Sequence, residues 1–164
     1  MTRDEFLARF GTVFENRPDL AEAAWETGLA AGAGTAEALH PAFVAVLRGL
    51  AGEALTDFLN GHPDLAGALL TRGAVTADSA AEQGSAGLAA LDPAGKGRFL
   101  ALNLAYRARF GFPFILAVRG LSPEAILAAF EARMDNAPEA EREEALRQIE
   151  RIILLRLKDR LGEA

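Results

Sequence analysis

A chain of 164 residues, 51% hydrophobic and 24% charged, has the composition of one globular domain rather than of a disordered segment. Its formal net charge of −6 offers no basic field to a nucleic-acid backbone. The absence of cysteine excludes a disulfide framework, thiolate metal sites and a cysteine nucleophile.

Apolar spacing reads as helix almost everywhere. Thr2 and Glu5 form a capping box in front of Phe6, Leu7, Phe10, Val13 and Phe14. Asn16 and Pro18 read as the cap and first turn of a second helix running through Trp25 to about Ala31. Gly28–Thr35 is a loop whose last residue caps a third helix, and Pro41 inside that helix predicts a kink or a late start. Leu50–Leu59 reads as the next helix, ended by Gly61, with Pro63 beginning a short one after it.

Gly73–Ala77 is read as a linker before a helix that carries Glu82 and Gln83. Asp92-Pro93 is a break, followed by a helix over Phe99–Phe110 that Gly111 ends in the left-handed conformation and Pro113 forbids to resume. The turn is aromatic in a chain with only 7% aromatic residues, so it is expected to wall an interior or a small-molecule pocket. A short extended piece near Ile115 follows. Ser122-Pro123-Glu124 opens another helix, and Asn136 with Pro138 opens a last one reaching Leu161. The expected fold is all-α: a single-domain helical bundle of about seven to nine helices over residues 1–164, since neither an internal repeat nor strand alternation is visible.

No apolar run reaches the roughly 18 residues of a membrane span. No early segment has the layout of a targeting peptide, and the terminal residues 161–164 are not a peroxisomal address. A cytoplasmic location is expected, and the Ala- and Gly-rich usage points to a bacterial source.

Four residues at three places in the chain carry candidate chemistry. His62, between Gly61 and Pro63, is pushed into an extended joint, from which an imidazole can reach a cleft; an ordinary loop histidine is the alternative, and His40-Pro41 shows that the dipeptide proves nothing. Ser79 and Glu82 have S-x-x-E spacing, so Glu82 either caps a helix or faces a ligand. Arg156 falls within the apolar arc of Ile149, Ile152 and Ile153 on the last helix. A guanidinium there snorkels to the rim, pairs with an interior acid or meets a ligand. The two histidines lack the spacing of a helical metal site, and neither Gly32–Gly34 nor Gly84–Gly87 forms a nucleotide loop or a nucleophile elbow.

Three segments in order, His62–Gly67 (HPDLAG), Ser79–Leu88 (SAAEQGSAGL) and Asn103–Ile115 (NLAYRARFGFPFI), resemble the 2-oxo-4-hydroxy-4-carboxy-5-ureidoimidazoline (OHCU) decarboxylases of urate breakdown, from about Phe6 to Leu161. The resemblance implies a lyase that converts OHCU to (S)-allantoin without a metal or other cofactor. It implies His62 and Glu82 as catalytic residues, and Pro63, Ser79, Gln83, Phe114, Ile115 and Arg156 as substrate-binding residues, the last in an L-R-L context. Arg119 is expected to be structural or peripheral. A homodimer is implied too, while charge and hydropathy leave no nucleic-acid or membrane partner expected. The rival readings are a non-enzymatic helical interaction domain and the same fold acting on another ureido- or hydantoin-type ring acid.

Overall fold

The computed structural model describes residues 1–65 and 76–164. Among them are eight α-helices and no strand, as the all-α reading expects: α1 (Arg3–Phe10), α2 (Pro18–Glu26), α3 (Ala36–Gly49), α4 (Gly52–Asn60), α5 (Ala77–Ser85), α6 (Pro93–Phe110), α7 (Pro123–Arg133) and α8 (Pro138–Leu161). A single 3₁₀ turn, Leu88–Ala90, lies between α5 and α6.

Local chemistry accounts for most of the helix ends. The Thr2 and Glu5 capping box is formed at α1. Thr35, Asp92 and Ser122 each accept a hydrogen bond from the backbone three residues on, starting α3, α6 and α7. Gly111 takes φ +79° and closes α6, which a residue with a Cβ would resist.

Four local expectations need correction. Residue 17, not Asn16, precedes α2, without a side-chain cap; Pro18 at the first position pre-sets the helical φ instead. Helix α2 also stops at Glu26, because Gly28 takes φ +74°. Pro41 does not delay α3, which starts at Ala36 and runs through it. Asp92-Pro93 is not a break before a helix at Phe99 but the cap and first residue of α6 itself, so the helix spans Gly95 and Gly97 despite their low propensity. The short helix expected after Pro63, and residues 73–75 of the expected linker, fall outside the described residues.

The described chain divides into two compact units, residues 1–55 with 149–164 and residues 56–148. In the first, α1 packs on α2 and α2 on α3. Phe6 is fully buried at its centre, with ring centroids 5.2 Å from both Phe10 and Trp25 and 5.8 Å from Phe43. Each such pair adds about 0.5–1.5 kcal/mol to the burial of its area. The end of α8 is tied in by Lys158 to Glu37 at 3.1 Å and by the Glu163 carboxylate on the Ala36 N–H.

In the second unit α6 packs against α7 around Tyr106. This side chain is fully buried, and the rings of Phe110, Phe112, Phe114 and Phe130 lie 4.6–5.8 Å from it, three of them edge-on. The aromatic turn therefore walls an interior. Apolar burial at this density drives the unit's folding.

Candidate active site

Residues 60–65 form a joint at the end of α4, and it is built around His62. Pro63 removes a donor and bars helical geometry before it, so the chain leaves the helix here. The imidazole is buried, its Nδ1 lies 3.1 Å from the Phe58 carbonyl, and its ring meets the Phe58 ring edge-on at 5.0 Å. A carbonyl only accepts, so Nδ1 is the donor, and in the neutral ring the basic lone pair is then on Nε2. His40 is placed differently: it lies on α3 in the other unit, with Nε2 2.8 Å from the Glu150 carbonyl.

One face of α6 holds the His62 joint. Asn103 Nδ2 donates to the Leu65 carbonyl at 2.8 Å. One turn on, Arg107 Nε donates to Asp64 at 2.8 Å, and at the helix end the Gly111 carbonyl accepts from Asn60 Nδ2 at 3.1 Å. Residues 103, 107 and 111 are successive i, i+4 positions, hence one stripe. Asn103 is 3% exposed, and among the described residues its Oδ1 has no hydrogen-bond partner. Residues 66 and 67, the end of the HPDLAG motif, lie outside the described residues.

Helix α5 carries the second group. Its cap is Thr76, whose hydroxyl accepts from the Ser79 N–H at 3.2 Å. Ser79 is therefore an interior residue of the first turn, and the capping-box reading of Ser79 and Glu82 is wrong. The stronger cap lies three residues earlier and the helix starts there. Ser79 and Gln83, at i and i+4, are both buried, and Glu82 beside them is half-buried, so the three share one inward face.

The third group is the non-helical segment after Gly111. Phe114 and Ile115 are 1% and 4% exposed. The Ile115 carbonyl accepts from Arg133 Nη1 at 2.6 Å, and the Ala117 N–H donates to Gln148 at 3.1 Å. Arg133 itself is paired with Glu141, which is fully buried: Nε donates to Oε1 at 2.8 Å, while Tyr106 Oη donates to the same oxygen and Asn136 Nδ2 to Oε2 at 2.9 Å. Arg133 Nη2 is 2.5 Å from Oε1, off the line a hydrogen bond needs, so its attraction is ionic. Burial first, and the bond to Glu141 second, push the Tyr106 phenol well above its usual range. Sequence reasoning missed Arg133 and Glu141. Both read as ordinary helix-end charges, and only burial distinguishes them.

Arg156 lies in the other unit and is 2% exposed, as its place on the apolar arc requires. Its Nη2 donates to Glu15 at 2.5 Å and its Nη1 to the Val13 carbonyl at 3.1 Å. Of the three fates open to it, snorkelling is excluded and an interior ion pair is present. Arg119 is half-buried beside Gly120. A surface groove of about 430 Å³ lies elsewhere, between the aromatic turn and the start of α8, lined by Phe110, Phe112, Arg142 and Leu146 among others. It contains none of the candidate site residues.

A family model described as OHCU decarboxylase matches residues 1–158. The OHCU decarboxylase of Amia calva is 39% identical over 159 residues, covering 97% of this chain and 89% of that protein. The mouse OHCU decarboxylase is 39% identical over 96% of this chain and 87% of its own length. A crystal structure of (S)-allantoin synthase superposes with a TM-score of 0.75 at 29% identity, over 98% of this chain and 51% of that one, so this chain spans about half of it. A crystal structure of OHCU decarboxylase in the presence of (S)-allantoin shares the fold, with a TM-score of 0.67 at 20% identity over 88% of this chain and 92% of that one. The chain belongs to the OHCU decarboxylase family.

Proposed function

We propose that the chain is a carboxy-lyase that converts OHCU to (S)-allantoin in urate degradation. The observation that best supports this is His62, buried with Nδ1 on the Phe58 carbonyl and hence with Nε2 as the basic nitrogen. Residues 1–164 act as one domain, in the cytoplasm of a bacterium and as a homodimer. No helix among the described residues is long and apolar enough to cross a membrane.

Loss of CO2 leaves an electron pair on the ring carbon that bears the hydroxyl. The adjoining ring C=N accepts it: a C=C bond forms, the C=N π pair moves to nitrogen, and nitrogen takes a proton. The hydroxyl then gives up its proton as a carbonyl forms, and the ureido-bearing carbon gains one, on the face that sets the S configuration. The sum is substrate carboxylate plus a proton giving allantoin and CO2. Because the substrate holds its own electron sink, the reaction proceeds without a cofactor.

His62 moves the proton at the hydroxyl, and Glu82 orients His62 or binds the ureido N–H groups. Ser79 and Gln83 read polar atoms of the ring and ureido group, while Pro63 and the backbone of Phe114 and Ile115 bound the planar ring. Arg156 meets a ligand oxygen. It is most effective where charge builds up on the ring, since a grip on the carboxylate alone stabilises the ground state.

The deciding experiment is turnover of freshly prepared OHCU by protein dialysed against chelator, followed by circular dichroism of the product. Formation of allantoin enriched in the S enantiomer is expected. No acceleration over the spontaneous reaction would overturn the function, and activity lost to the chelator and restored by a divalent ion would overturn the mechanism.

A further inference from the structure

We propose that Arg133, neutralised by Glu141, is a positioning residue that fixes the Phe114–Leu116 backbone so that the Leu116 N–H is presented to the ligand. The proposal rests on the reading of Phe114 and Ile115 as substrate contacts, and it adds the device that aims them.

Among the described residues, the backbone from Phe114 to Ala117 makes two hydrogen bonds, from Arg133 to the Ile115 carbonyl and from the Ala117 N–H to Gln148. The N–H groups of Ile115 and Leu116 make none, although Ile115 is buried and Leu116 half-buried. Buried main-chain donors in folded proteins are paired in more than nine cases of ten, so a run of donors without a protein partner is a place where a ligand or an ordered water supplies the acceptor. The Ile115–Leu116 peptide is trans and planar, which sets its carbonyl and its N–H in opposite directions. By holding the carbonyl at 2.6 Å, Arg133 turns the Leu116 N–H away from itself.

The guanidinium is itself immobilised. Glu141 holds its Nε edge, and Glu141 in turn is fixed by Tyr106 and Asn136. Its Cζ lies 4.4 Å from the centroid of the Phe114 ring, and Phe130, one turn before Arg133 on α7, stacks on that same ring at 3.9 Å with planes 10° apart. Residues 114 and 115 are thus gripped by ring and carbonyl together. A buried ion pair adds little net stability over apolar side chains of similar volume. The geometry therefore points to aim rather than stability as what the pair supplies.

The test uses the full chain with OHCU and (S)-allantoin as probes. Arg133→Lys keeps the charge and loses the fork; the double variant Arg133→Met with Glu141→Gln removes both charges, so that no buried charge is left unpaired while the Ile115 carbonyl loses its donor. In either, KM and the Kd of (S)-allantoin should rise about tenfold or more, the worth of one lost hydrogen bond, with kcat changed less. Folded variants of lower Tm with wild-type KM and Kd would overturn the proposal. A measurement on the wild type covers variants that fail to fold: the Leu116 amide resonance should shift and gain exchange protection when (S)-allantoin is added, and an unmoved resonance overturns the proposal. Wild-type turnover with unchanged variants removes the Arg133 role alone. A wild type that neither turns over OHCU nor binds (S)-allantoin removes the functional reading and this proposal together.

Discussion

Arg156 donates to Glu15 at 2.5 Å across 141 residues of sequence, both side chains being almost fully buried. The pair decides what a substitution there will do. Arg156→Met leaves the Glu15 carboxylate buried without its cation and should cost about 3–5 kcal/mol of stability. The double variant Arg156→Met with Glu15→Gln should recover most of that, as read by denaturant unfolding. Turnover should stay depressed by roughly 10²-fold in the double variant, the range for one lost electrostatic donor. Recovery of activity along with stability would reduce Arg156 to a core ion pair.

His62 and His40 separate catalysis from structure. His62→Asn should lower kcat by at least roughly 10²-fold, the lower range for a lost general acid–base. His40→Ala removes one contact to the Glu150 carbonyl and should leave kcat close to wild type. Steady-state kinetics on both variants decide the matter, and similar losses in the two would contradict the assignment.

Asn103 is a test of how firmly the His62 joint must be held. In Asn103→Asp the carboxylate oxygen that replaces Nδ2 faces the Leu65 carbonyl, so an attraction at 2.8 Å becomes a repulsion. A loss of about 1–3 kcal/mol is expected, the cost of leaving a buried polar group unsatisfied. Since the strand of chain being released carries His62, kcat should fall with it, whereas loss of stability at constant kcat would show that the joint keeps its geometry unaided.

Tyr106 is the single tyrosine of the chain, so tyrosinate absorbance reports this residue alone. Its phenol is raised in the folded state by burial and by Glu141. A raised pKa means that the folded state keeps a proton which the unfolded state gives up above about pH 10. The contribution to stability is full below that pH and is lost as pH rises beyond it. No tyrosinate should appear in the native protein just above pH 10, and it should appear together with loss of helical dichroism. Tyr106→Phe should weaken the dependence of stability on pH in that range. Ionisation without unfolding would contradict the buried network.

Much of this protein is legible without a structure. The caps at Thr2, Thr35 and Ser122, the prolines at the helix starts and the stop at Gly111 are decided within four residues of chain, and local chemistry reports them directly. The inward aim of Arg156 follows from periodicity alone, and the order of the three motifs carries the family. The errors are also local. Ser79 has the spacing of a cap, but Thr76, three residues earlier, is the residue that starts the helix.

What only the tertiary structure decided is pairing at long range. That Glu15 neutralises Arg156, that Asn103 holds Leu65, and that Glu141 and Arg133 are buried around the Ile115 carbonyl depend on elements meeting across the fold. A helix period tells which way a side chain points but not what lies opposite. For a charge the partner is what matters, because the same arginine is cheap beside a carboxylate and very costly beside none.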